Sequence, residues 1–129
     1  MRRWHRRLLR LGLLLLGLSL VQPGLLGVLF PVDYGGGLLA PDATALGHLR
    51  GLNGMMAGLG LAALWCAWRL PRAGILALGG LLALVVLARL VGWAVDGTPD
   101  TASRLYLGVE VVLSVLFLLW PPPVSGPRA

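Results

Sequence analysis

Between residues 74 and 95 the sequence reads GILALGGLLALVVLARLVGWAV, and Arg89 is its only ionisable residue. As a helix rising 1.5 Å per residue, this stretch is about 33 Å long, enough to cross a hydrocarbon core of about 30 Å. Its apolar residues occur on every side of the helical wheel rather than along one stripe. Such a helix belongs inside a large core or inside lipid.

Three further stretches have the same character, over residues 8–30, 45–68 and 103–120. A chain of 129 residues has too little protein to enclose four of them, and 57% of its residues are apolar against 12% charged. Lipid removes the need for a polar exterior. The expected fold is all-α, a four-helix transmembrane bundle forming one integral membrane domain over residues 1–129.

Breakers separate the spans. Residues 31–44 read as a loop, with Asp33, Gly35, Gly36, Gly37, Pro41 and Asp42, and Asp42 or Thr44 as cap of the next helix. Arg69, Pro71 and Arg72 form a basic turn. Asp96-Gly97-Thr98-Pro99-Asp100 joins spans three and four, with Thr101 or Ser103 as expected cap. Pro121, Pro122 and Pro123 stop the last span. Pro23, inside the first, is expected to kink that helix without ending it. An arginine cluster before leucines also opens signal peptides. Here no small-x-small cleavage pair follows, so the segment reads as a retained signal-anchor helix.

The net charge is +6, with eleven arginines and no lysine, as the codon usage of a GC-rich bacterial genome produces. Arg2, Arg3, Arg6, Arg7 and Arg10 precede span one, Arg69 and Arg72 follow span two, and Arg128 lies in the tail. The other two connections carry Asp33, Asp42, Asp96 and Asp100. This alternation places both termini on the cytoplasmic side of a bacterial inner membrane. The basic balance suits anionic headgroups, and nucleic-acid binding is not expected, because no soluble surface exists to carry it. Trp4, Trp65, Trp68, Trp93 and Trp120 sit near span ends as interfacial anchors. Gly47, Gly51, Gly54 and Gly58 put small residues along one side of span two, where a neighbouring helix of the same chain is expected to approach closely.

Four ionisable residues interrupt the spans: His48, Arg50, Arg89 and Glu110. Each arginine or carboxylate at mid-membrane costs about 2.5–3.5 kcal/mol on insertion scales, so such groups face inward and pair. Measured along the helices, Arg50, Arg89 and Glu110 lie about 7, 9 and 10 Å below the outer boundary. Arg89, Trp93 and Asp96 share a face at i, i+4, i+7, as do Tyr106, Glu110 and Ser114 at i, i+4, i+8. The expected polar cluster is Arg50, Asn53, Arg89 and Glu110, with Asp96 and Tyr106 toward the outer mouth. Asp96 or a bound anion balances its arginine excess. The cluster reads either as glue that locks the helices in register or as a ligand site.

Catalytic chemistry finds no support. His48 lacks the convergent partners that zinc requires, and no serine has a base and orienter. Gly35-Gly36-Gly37 lacks the lysine–serine pair of a phosphate loop. The lone Cys66 reads as a small hydrophobe. No catalytic residue, metal or cofactor is expected.

The stretch HLRGLNG at residues 48–54, Ala88-Arg89-Leu90 leading to Asp96-Gly97-Thr98-Pro99, and Glu110 together resemble a family of small bacterial four-helix membrane proteins, domain of unknown function 4345. In that family an arginine followed by glycines marks span two, Ala-Arg-Leu leading to Asp-Gly-x-Pro closes span three, and a glutamate sits in span four. The resemblance covers about residues 11–120, while the arginine-rich start and proline-rich tail are particular to this chain. It implies the four-helix fold and no reaction. The architecture is also loosely similar to DoxX-like four-helix membrane proteins, some of them linked to quinone or redox partners. Two roles follow as expectations. One is a structural or accessory subunit packed in or against a larger membrane complex. The other is a protein binding a lipid- or quinone-like molecule in the outer half of the bundle.

Overall fold

A computed structural model of the chain describes residues 3–34 and 43–123. They form five helices and, among the described residues, no strand: α1 (Arg3–Leu29), α2 (Pro31–Tyr34), α3 (Ala43–Arg69), α4 (Arg72–Asp96) and α5 (Thr101–Leu119). All but the one-turn α2 are long and apolar enough to cross a membrane. Only 22–33% of the most apolar window of each is buried, so most of its leucine and valine surface is left for lipid. The protein is an all-α, multi-pass membrane protein.

Helix α1 runs through Pro23 unbroken. The expected loop over residues 31–44 is corrected at both ends: residues 31–34 make the turn α2, and α3 has begun by Ala43. Thr44 therefore lies inside α3. Asp42, the alternative cap, is outside the described residues, as are Gly35–Gly37. The cap of α5 is also corrected. It is Asp100, whose Oδ1 accepts the Ser103 backbone N–H at 2.7 Å, and neither Thr101 nor Ser103 fills that role. Asp100 immediately precedes the first helical residue, where a side-chain oxygen reaches the orphan amides. Gly97 closes α4 at φ 104°, a backbone region that L side chains rarely adopt.

The same cap makes a pH prediction. The Ser103 amide and hydroxyl, with Arg104 adding its charge, hold the Asp100 carboxyl below its ordinary range. A depressed carboxyl pKa means the cap is fully formed above the unfolded value and is lost as pH falls through the folded one. The Ser103 amide resonance should titrate with a midpoint below that of an ordinary aspartate, and Asp100→Asn should abolish the titration. A midpoint at or above the ordinary value would contradict the cap.

Contacts group the chain into two units, residues 10–69 and residues 1–9 with 70–129. In the first, α1 and α3 are antiparallel and their backbones approach at glycines. A Cβ added at Gly24 would lie 2.6 Å from the Ala57 nitrogen and 2.8 Å from the Asn53 carbonyl oxygen. One added at Gly60 would lie 2.8 Å from the Gly17 carbonyl oxygen. The expected glycine stripe on α3 is not this contact. Among the described residues nothing lies within 4 Å of a Cβ at Gly47, Gly51 or Gly58, and Gly54 meets only Val28, at 3.9 Å. Intervals of four, three and four residues put those glycines on one face. The face that packs is set instead by Gly17, Gly24 and Gly27 of α1, which α3 meets with Asn53, Ala57 and Gly60.

In the second unit α4 and α5 are antiparallel. Phe117 and Leu118 pack onto Gly79, and the buried Ser114 hydroxyl donates to the Gly79 carbonyl at 3.2 Å. At the arginine-bearing end, buried His5 lies with Nε2 2.8 Å from the Trp120 carbonyl oxygen. A carbonyl only accepts, so Nε2 carries the proton. Arg72 donates to the Pro122 carbonyl at 2.7 Å, and Trp4 meets Trp120 edge to face. These donors satisfy carbonyls just beyond the helix end, where the α5 dipole is negative. They also bring the first turns of α1 to the same end as the C-terminus of α5.

Candidate functional site

At the opposite end of the α4–α5 pair, the side chains of the two helices enclose a half-open pocket of about 360 Å³. Arg89, Trp93 and Asp96 line it from α4, one turn apart along a single face. Thr98 and Pro99 supply the rim from the turn, and Ser103 and Leu107 the α5 wall. The turn is narrow because Gly97 takes its positive φ and Asp100 restarts the helix at once. The helices are therefore held by their ends while the Gly92 side of α4 leaves room between them.

Arg89 forms the floor. Its Nε lies 2.8 Å from Glu110 Oε2, pairing α4 with α5. The Glu110 side chain is 18% exposed and that of Arg89 42%. The N–H is not aligned on Oε2, which is buried and has no hydrogen-bond donor among the described residues. The contact is thus an ion pair without a well-formed hydrogen bond. It neutralises both charges while leaving Arg89 in the pocket lining, where a guanidinium has further N–H groups to offer.

The other expected residues are placed as follows. Asp96 is on the pocket rim. Tyr106 is exposed and is not part of the lining. Arg50 and Asn53 belong to α3, in the other unit. Arg50 Nε donates to the Val28 carbonyl at 3.3 Å, and Asn53 donates to Leu49 within its own helix at 2.9 Å. Among the residues that line the pocket Arg89 is the one cation and Asp96 the one anion, and Arg89 is already paired with Glu110, so the pocket holds no arginine excess for an anion to balance.

Thr98 and Ser103 line the pocket although in the sequence both read as turn and cap residues. His5 stands in an arginine run and carries no sequence signal of its own. The tryptophans near the ends of α1 and α5 are the one pointer to it, since aromatic partners at two chain ends mark the same boundary.

A family model described as a domain of unknown function (DUF4345) matches residues 8–121. No curated protein and no solved structure matches the chain. The match spans all four membrane-crossing helices and both halves of the pocket, so the chain belongs to the family described as domain of unknown function DUF4345.

Proposed function

We propose that this protein binds the neutral, oxygen-bearing head of a quinone-like amphipathic molecule in the α4–α5 pocket. The observation that carries this reading is the position of Arg89, paired with Glu110 yet forming the pocket floor. A paired guanidinium donates hydrogen bonds without demanding a counter-ion. The second carboxylate, Asp96, argues against a phosphate head. Trp93 and Leu107 offer apolar walls, and exposed Leu90 and Val91 on α4 lead away from the rim as a surface for a tail. The protein resides in a bacterial inner membrane with both termini cytoplasmic. The arginines at the start of α1 and in the α3–α4 turn support that orientation.

The test is mass spectrometry of protein purified in mild detergent. A neutral quinone-like molecule should co-purify with the native protein and be lost from Arg89→Gln. Recovery of the same molecules from both proteins in equal amounts would overturn the reading.

A second reading, an accessory subunit packed against a larger membrane assembly, is favoured by the open glycine face of α3. Gly47, Gly51 and Gly58 permit close approach of a helix that the described residues do not supply. Gly51→Leu would then release a partner protein during gentle purification while leaving the chain itself folded. Unchanged partner recovery would count against this role.

A further inference from the structure

The first turns of α1 carry a feature that the pocket does not use. Arg3, Arg6, Arg7 and Arg10 stand at i, i+3, i+4 and i+7, which places them within an arc of about 100° on one helix. All four are exposed, and none makes an ion pair or hydrogen bond with a described residue. The first acidic residue in the chain is Asp33. The arginines also oppose the helix dipole, whose N-terminal end is positive. Among the described residues nothing neutralises them.

The same face continues into hydrocarbon. Leu14 and Leu18 follow Arg7 and Arg10 at helical spacing, and with Leu11 they are exposed. The opposite side of the helix is occupied: His5, Leu9, Leu13 and Leu16 are buried. One face of one helix thus presents guanidinium groups above and leucines below, in the order of a phospholipid's headgroup and acyl chains. A soluble polyanion would match the arginines alone.

We propose that this face of α1 binds an anionic phospholipid, and prefers a headgroup with two phosphates to one with a single phosphate. Arg3 with Arg7 and Arg6 with Arg10 form two i, i+4 pairs, each spaced to grip one phosphate from two sides. The pairs are offset by about 4.5 Å along the helix, which suits two phosphodiesters joined by a short linker. Exposed Trp4, beside the arginines, holds this level at the membrane interface.

The test is native mass spectrometry of the full chain in mild detergent with equimolar phosphatidylcholine, phosphatidylglycerol and cardiolipin. Cardiolipin adducts should exceed phosphatidylglycerol adducts, and phosphatidylcholine should be least. Arg6→Gln with Arg10→Gln should reduce cardiolipin binding about fivefold for each arginine removed. Should that variant fail to insert, Arg6→Lys with Arg10→Lys keeps the charge and decides the matter. It should retain phosphatidylglycerol and lose the preference for two phosphates, because lysine lacks the fork. Equal binding of the three lipids by the native chain would overturn the proposal, as would an unchanged preference in an inserted variant. Displacement of cardiolipin by millimolar pyrophosphate would identify a free-anion site and overturn the assignment to lipid.

Discussion

Glu110→Leu should lower the stability of the protein by about 3 kcal/mol, while Arg89→Leu combined with Glu110→Leu should recover most of that loss. The carboxylate sits 2.8 Å from Arg89 Nε and is itself largely buried. Removing it alone leaves a guanidinium in the hydrocarbon region with no counter-charge on the neighbouring helix. The insertion penalty for an unpaired arginine sets the size of the effect. Removing both charges replaces the pair with leucines on a surface that already packs through leucine and valine. Because Oε2 lacks an aligned hydrogen bond, the pair contributes little beyond neutralising itself. Thermal unfolding of the single and double variants in detergent measures the coupling directly. A double variant as unstable as the single would mean that Arg89 and Glu110 hold the helices through separate contacts.

Gly24→Leu should be the most damaging substitution on α1, at about 3 kcal/mol or more. Its Cβ would meet backbone atoms of Asn53 and Ala57, which have no rotamer to yield. The two helices would have to separate along their shared length, breaking the approach at Gly17 and Gly60 as well. Gly51→Leu and Gly58→Leu provide the contrast, since their Cβ positions are open among the described residues. Those variants should unfold at the native temperature. Equal destabilisation by Gly24→Leu and Gly58→Leu would show that the α1–α3 contact is assigned to the wrong glycines.

This contrast marks where the sequence is legible. Residues 74–95 announce a membrane span by length and uniform apolarity alone, and α4 covers them entirely. Spacing also tells which residues share a face, as with Arg89, Trp93 and Asp96 around one pocket. It does not tell what a face meets. Gly47 to Gly58 and Gly17 to Gly27 both present small residues, and only the three-dimensional register decides which set packs. Capping is decided at single-residue resolution: Asp100, Thr101 and Ser103 are all competent caps. Asp100 takes the role because it is the residue just outside the helix. The role of His5 is not legible for a further reason, since its partner is the Trp120 carbonyl, 115 residues away in the chain.

The relation between Arg89 as a lock and Arg89 as a pocket floor is open to one direct measurement. Trp93 lines the pocket, so a chain carrying Trp93 as its sole tryptophan, the other four changed to Phe, reports occupancy through its fluorescence. Titration with a short-chain quinone should saturate the signal in the chain that keeps Arg89 and Glu110. It should leave the signal unchanged, beyond bulk quenching, in the folded Arg89→Leu, Glu110→Leu variant. Saturable quenching of the same affinity in both proteins would contradict the assignment of this pocket as a binding site built on Arg89.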